Sequence, residues 1–176
     1  MRSRVPGPSD SGGLSRSGAA LYVLVVAVTL GIAGPLASRI DASDGPWVTF
    51  AVLAVGAALA QLFVVATPRN YSLQTAGVFL LPAALLLPPE FLVLVAIAQH
   101  VPEWLRNRYP WYIQSFNICN YTLAMLAAWA SARGVMRLDG MIAAADVRFA
   151  VGGVIAAAVF VLVNHGILAA MLRLAR

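Results

Sequence analysis

A chain of 176 residues that is 61% apolar and only 11% charged, with a mean hydropathy of +0.82, carries more apolar surface than a soluble core of this size can hide; soluble domains run at about 45–50% apolar and 25% charged. The net charge of +5 rests on twelve arginines and no lysine, set singly at the ends of apolar stretches, and without a basic stripe this excludes nucleic-acid binding. The lone Cys119 lies inside an apolar segment, so there is no disulfide framework. At roughly 20 residues per span plus short loops, the chain has room for about six transmembrane helices. The expected fold is all-α, a polytopic membrane helix bundle.

Residues 1–17 are rich in Ser, Gly, Pro and Arg, bury too little to fold, and read as a disordered N-terminal tail. Residues 18–176 read as one transmembrane helical domain. The first span covers 18–37. Arginines precede it, and Ala33, Gly34 and Ala37 imitate a signal-peptide cleavage site. The apolar stretch is long for such a signal, however, and Pro35 sits awkwardly at the cut. The second span covers 47–66. The third, 72–87, is short and interrupted by Pro82, and the fourth, 90–105, is short and runs into arginines. This pair is either two short tilted helices or a broken hairpin. Its turn is Leu87-Pro88-Pro89-Glu90, where two prolines remove backbone donors and stop a helix. The fifth span covers 111–132 and the sixth 149–174. Residues 133–148 between them form the one substantial loop, with room for a short interfacial helix.

Counting arginines by loop sets the orientation. With the N-terminus inside, Arg2, Arg4, Arg16, Arg69, Arg106, Arg108, Arg173 and Arg176 are cytoplasmic, against Arg39, Arg133, Arg137 and Arg148 outside. Both termini are then cytoplasmic, and every strongly polar residue within the spans falls on the cytoplasmic side of the midplane. Gln61 lies late in the second span and Gln74 opens the third. Gln99, His100 and Glu103 close the fourth, Gln114, Asn117 and Asn120 begin the fifth, and Asn164 and His165 lie in the inner half of the sixth. Gln114, Asn117 and Tyr121 recur at helical spacing on one face. Gln99 and Glu103 are four residues apart, His100 and Glu103 three.

Polar side chains in hydrocarbon are costly and face the bundle interior or a wet cavity. Two readings of the cluster stand side by side. In one, these amides are interhelical glue worth ~0.6–2 kcal/mol each. In the other, Gln99, His100, Glu103, Arg106, Gln114, Asn117, Asn120, Asn164 and His165 form a ligand-binding or coupling pocket open to the cytoplasm. Asn117 is expected to hydrogen-bond a neighbouring span. Trp104, Tyr109, Trp111 and Tyr112, with Arg106 and Arg108, form an interfacial belt suited to lipid headgroups. His100 and Glu103 lack further metal ligands at suitable spacing, so neither a metal nor a cofactor is expected. There is no Gly-x-Ser-x-Gly elbow, His-Glu-x-x-His or P-loop, and the chain does not read as an enzyme. Small residues crowd the sixth span, among them Gly152, Gly153, Ala156, Ala157 and Gly166, which is a close-packing signal.

The run from Ser72 to Ala128 combines a Pro-bearing short span (VFLLPAALLLPPE), an Arg-bearing inner loop, and aromatics with Ser115-Phe116-Asn117 opening the next helix. This resembles the N-terminal, MASE-like membrane regions of bacterial sensor proteins that carry GGDEF or HD-GYP output domains. The resemblance covers the second to sixth spans and is carried chiefly by Phe116 and Asn117. It implies a sensor domain for signal transduction in the bacterial cytoplasmic membrane, with partners in the lipid bilayer, a cytoplasmic signalling domain or protein, and a small-molecule or lipid ligand. A module of a longer protein and a stand-alone protein both stay open. In helix count and size alone, the plan also resembles the substrate-binding subunits of vitamin transporters, so the alternative function is a small-molecule transporter or its binding subunit.

Overall fold

The computed structural model describes residues 14–62, 65–66, 72–73, 75–108, 110–138 and 144–174. Among them are six helices: α1 (Arg16–Ala37), α2 (Trp47–Leu62), α3 (Gly77–Leu86), α4 (Pro89–Asn107), α5 (Trp111–Met136) and α6 (Ala145–Leu174). Between α2 and α3, Val65–Ala66 and Ser72–Leu73 pair as two short antiparallel strands, β1 and β2. The fold is an all-α bundle.

The boundaries differ from the sequence reading in ways that have local causes. α1 begins at Arg16, inside the expected tail, because Ser15 caps it: the Ser15 hydroxyl accepts the Gly18 N–H at 3.0 Å. Residues 1–13 of that tail lie outside the described residues. α2 stops at Leu62, four residues short of the expected span end, and Ala66 is in β1 instead. α3 starts at Gly77, and Ser72, expected to open the third span, is in β2. Residues 133–136 continue α5 and 145–148 begin α6, so the loop between them is shorter than expected at both ends. Of the two forms considered for the third and fourth spans, the chain takes two helices joined by Leu87 and Pro88, both in extended backbone. Pro89 occupies the first turn of α4, where its missing N–H costs nothing. The αL residue Arg108 closes α4, its N–H bonding the Trp104 carbonyl at 2.8 Å.

Contacts between the helices show an up-and-down arrangement. The Ser15 and Ser17 hydroxyls both donate to the Leu174 carbonyl, which brings the start of α1 to the end of α6 and satisfies a carbonyl the helix leaves unpaired. At the same end, Tyr22 bonds Ser115 at 2.8 Å, Gln61 meets Glu103, and Arg106 donates to the Leu62 carbonyl at 3.2 Å. At the opposite end, Trp47, Phe50 and Phe91 pack together with ring centroids 4.9–5.9 Å apart, Trp47 edge-on to both phenylalanines. There, too, Gly152 of α6 lies beside Ala132 of α5. Asp41, in the loop at this end, accepts the Ser43 hydroxyl at 2.6 Å and its N–H at 2.8 Å, and these bonds hold its carboxyl below the ordinary carboxylate range.

The core runs through α2 to α6 and is built from small and aliphatic residues, with Leu80, Ala83, Leu87, Leu92, Val95, Ala124 and Met125 all inaccessible. α1 packs on its flank through a narrower patch of Val25 against Phe116 and Cys119. In α6 the buried residues are Gly152, Ala156, Phe160 and Asn164, every fourth position, a single stripe facing α5 and α3. The outward surfaces are apolar: Val23, Leu24 and Leu30 on α1, Val48 and Val52 on α2, and Val154 and Leu162 on α6 are all more than half exposed. α1 and α6 are long and apolar enough to cross a membrane.

Candidate functional site

Toward the end of the bundle that holds Ser15 and Leu174, the helices part around a cavity of about 480 Å³. Five of them contribute. α2 supplies Gln61, and α3 supplies Gly77 and Leu81. α4 supplies His100 and Glu103, and α5 supplies Asn117, Asn120 and Tyr121. α6 supplies Phe160, Asn164 and His165, with Val161 and Leu168. The shortness of α3 explains the space. Its ten residues reach only ~15 Å at 1.5 Å per residue. Near its C-terminal end α3 packs closely on α6, where a Cβ on Gly153 would come 3.6 Å from Leu85. Below Gly77 there is no helical turn of α3 to fill the space.

Hydrogen bonds organise the wall. Gln61 donates from its amide nitrogen to the Glu103 carboxylate at 2.7 Å, tying α2 to α4. Asn120 donates to the Asn164 side-chain oxygen at 2.7 Å and to its main-chain carbonyl at 3.3 Å, tying α5 to α6. Because a main-chain carbonyl only accepts, the Asn120 nitrogen is fixed toward α6. Asn164 also hydrogen-bonds the Tyr121 hydroxyl. The His100 ring lies edge-on to Tyr121, centroids 5.0 Å apart, and its Nδ1 donates to the Ala96 carbonyl at 2.8 Å. His165 repeats this on α6, donating from Nδ1 to the Val161 carbonyl at 3.0 Å. In each neutral ring, Nε2 is then the acceptor.

Of the residues nominated from sequence, His100, Glu103, Asn117, Asn120, Asn164 and His165 line this cavity, and Gln99, Arg106 and Gln114 do not. Gln99 is fully buried in the core, and both ends of its amide are without a hydrogen bond. Arg106 is exposed and caps the α2 C-terminus through Leu62. Gln114 donates to the His100 carbonyl at 2.8 Å and borders an apolar groove beside Trp104 and Trp111. It therefore does not share the cavity with Asn117 and Tyr121, although the three are on one helical face by spacing. Asn117 departs from expectation as well: it makes no hydrogen bond to any described residue and presents a free amide at the cavity. Sequence reasoning placed Gln61 at the right depth but did not nominate it. Tyr121, placed by spacing on the face of Asn117, forms the aromatic part of the wall together with Phe160, which has no polar signal in the sequence and went unnominated. Among the described residues no group of three His, Cys, Asp or Glu side chains is placed to hold a metal ion. A larger groove of about 590 Å³ lies at the other end between α1, α5 and α6, but apart from Arg39 its wall is apolar.

Removing the Asn120–Asn164 contact tests how much of this wall is structural. Asn120→Leu and Asn164→Leu are each expected to lower stability, with a coupling in the double-mutant cycle of roughly 0.6–2 kcal/mol, the range for interhelical polar contacts. Thermal unfolding in detergent reads it, and strict additivity of the two losses contradicts the pairing.

Comparison with family models, with curated proteins and with solved structures gives no match.

Proposed function

We propose that the chain is a multi-pass sensory or regulatory module of the bacterial cytoplasmic membrane, whose cavity takes a small ligand and whose α6 passes occupancy to a cytoplasmic signalling partner. In this reading the chain crosses the bilayer six times, α3 forming only the short helical part of its pass, and both termini are cytoplasmic. Its support is the alternation of the helices, the apolar outward surfaces, the arginine count, and the resemblance of 72–128 to MASE-like sensor regions.

One observation carries the reading: polar side chains from α2, α4, α5 and α6 converge on a single cavity beside a helix too short to span. The hydrocarbon core is about 30 Å thick. Non-helical backbone is tolerated at membrane depth only where it is buried in protein or lines a water-filled cavity. The shortness of α3 and the hydration of this cavity thus explain one another. Bundles of this kind bind ligands between facing helices at such sites. His165 lies nine residues before the end of α6, and the last carbonyl of α6 is held by Ser15 and Ser17, so a shift of α6 in the cavity reaches the start of α1 directly.

The test is a thermal-shift screen of the full chain in nanodiscs against amines, carboxylic acids and polyols. Hits are followed by distance measurements between spin labels at Ser17→Cys and Leu172→Cys on a Cys119→Ser background. Saturable stabilisation that Asn117→Trp abolishes, together with a changed label distance, is expected. A silent screen overturns the ligand reading. Uptake of the bound solute into proteoliposomes at a constant label distance assigns the protein to transport instead.

A further inference from the structure

We infer that the ligand of this cavity is a small organic ammonium, held by Glu103 and seated against the Tyr121 and Phe160 rings; this rests on the cavity being a ligand site. Among the described residues that line it, Glu103 is the one formally charged side chain. The nearest basic group on the same helix, Arg106, is engaged with the Leu62 carbonyl and is not part of the wall. Among the described residues the cavity thus pairs a carboxyl group with no cationic side chain in its wall.

The hydrogen-bonding groups point the same way. Gln61 donates to one Glu103 oxygen, Oε2, at 2.7 Å, and the other accepts no hydrogen bond from a described residue. His100 and His165 both commit Nδ1–H to their own helix, which leaves Nε2 of each neutral ring to accept. The Asn117 amide, on the cavity wall, has no hydrogen bond to a described residue. Gln61 directs one amide N–H to Glu103, and Asn120 directs its amide nitrogen to Asn164. Beside the Glu103 carboxylate the wall thus offers mostly acceptors, although the Asn117 amide can donate as well. An ammonium brings three N–H donors and no acceptor, whereas a carboxylate or phosphate would meet Glu103 and no cation among the described residues of the wall. The hydrophobic remainder of such a ligand has a surface to lie on: Tyr121 and Phe160 are 6.1 Å apart between centroids, and His100 flanks Tyr121. Aromatic faces also attract a cation within about 6 Å. A metal ion would use the same charge, but Glu103, His100 and His165 are not grouped to coordinate one.

Three probes with one aromatic ring and different heads decide the class: 2-phenylethylammonium, 2-phenylethanol and phenylacetate, each titrated against the full chain in zwitterionic nanodiscs by calorimetry and thermal shift. The ammonium is expected to bind at least ten-fold tighter than either of the others. Glu103→Gln, which keeps an acceptor for Gln61, is expected to remove that preference while melting close to the unliganded parent. Should Glu103→Gln fail to fold, Asn117→Leu is expected to weaken the ammonium several-fold and leave the alcohol unchanged. Equal or tighter binding of phenylacetate or phenylethanol overturns the ammonium class and leaves the cavity standing as a ligand site. Silence of all three overturns the ammonium class as well, and the ligand reading falls with it only when the wider screen is also silent.

Discussion

Phe91→Ala is expected to cost the bundle on the order of 3 kcal/mol, at the lower end of the ~3–5 kcal/mol seen for truncating a buried aromatic. Phe91 is 2% exposed and sits where α4 begins, with Trp47 at 4.9 Å and Phe50 at 5.7 Å between ring centroids. It also lies against the loop before α2, because a Cβ on Gly45 would come 2.6 Å from its ring. Removing the ring leaves a hole among α2, α4 and that loop, none of which can close it without losing the other aromatic contacts. The lower end of the range follows from the proposed membrane location, where the truncated side chain would lose packing but little transfer energy because lipid is about as apolar as the core. Thermal unfolding in detergent reads the loss. A change of under about 1 kcal/mol would mean that the aromatic cluster does not hold this end of the bundle together.

Gly56→Ala is expected to be destabilising, against the usual helix preference. Alanine in place of glycine within a helix gains up to ~1 kcal/mol. Here, however, the new Cβ would overlap the Phe79 ring of α3, so that ring or the whole of α3 must move. Overpacking of this kind costs about 1–3 kcal/mol, and it outweighs the propensity gain because a ring wedged between two helices has no flexible end to yield. Gly152→Ala is the control. Its Cβ would stand 3.5 Å from the Ala132 carbonyl, ordinary contact, so that substitution is expected to be neutral or mildly stabilising. Combining Gly56→Ala with Phe79→Leu should recover much of the loss. If Gly56→Ala melts higher than the parent, the close approach of α2 and α3 is wrong.

These two sites also show what a single sequence can convey. The number of helices and the break at Leu87-Pro88 were legible because apolar runs and proline act locally: each residue reports on its own backbone. The ends of α2 and α3 were not. The apolar run through Val64, Val65 and Ala66 continues past Leu62, where the helix stops, and strand pairing of Val65 with Leu73 is a tertiary preference invisible to hydropathy. Depth along a helix could be counted, which is how polar residues were assigned to one half of the bundle. Azimuth could not, since it depends on which neighbour each face meets. Gln114 and Asn117 are three residues apart, yet Gln114 turns to the His100 carbonyl and the groove by Trp104 while Asn117 turns to the cavity. Gln99 and His100 part in the same way, one into the dry core and the other onto the cavity wall. The tie from Gln61 to Glu103 joins residues 42 positions apart and has no local signature.

Cysteine accessibility in sealed, oriented vesicles tests the central claim most directly. On a Cys119→Ser background, Asn117→Cys places a thiol on the cavity wall, Arg108→Cys one between α4 and α5, and Ser43→Cys one in the loop between α1 and α2. A hydrophilic, membrane-impermeant thiol reagent is expected to modify positions 117 and 108 from the cytoplasmic face only and position 43 from the opposite face only. Prior addition of a ligand that stabilises the protein should protect 117 and leave 108 reactive. A thiol at 117 that stays unreactive from both faces, or that reacts from the same face as 43, contradicts a water-filled cavity open to the cytoplasm.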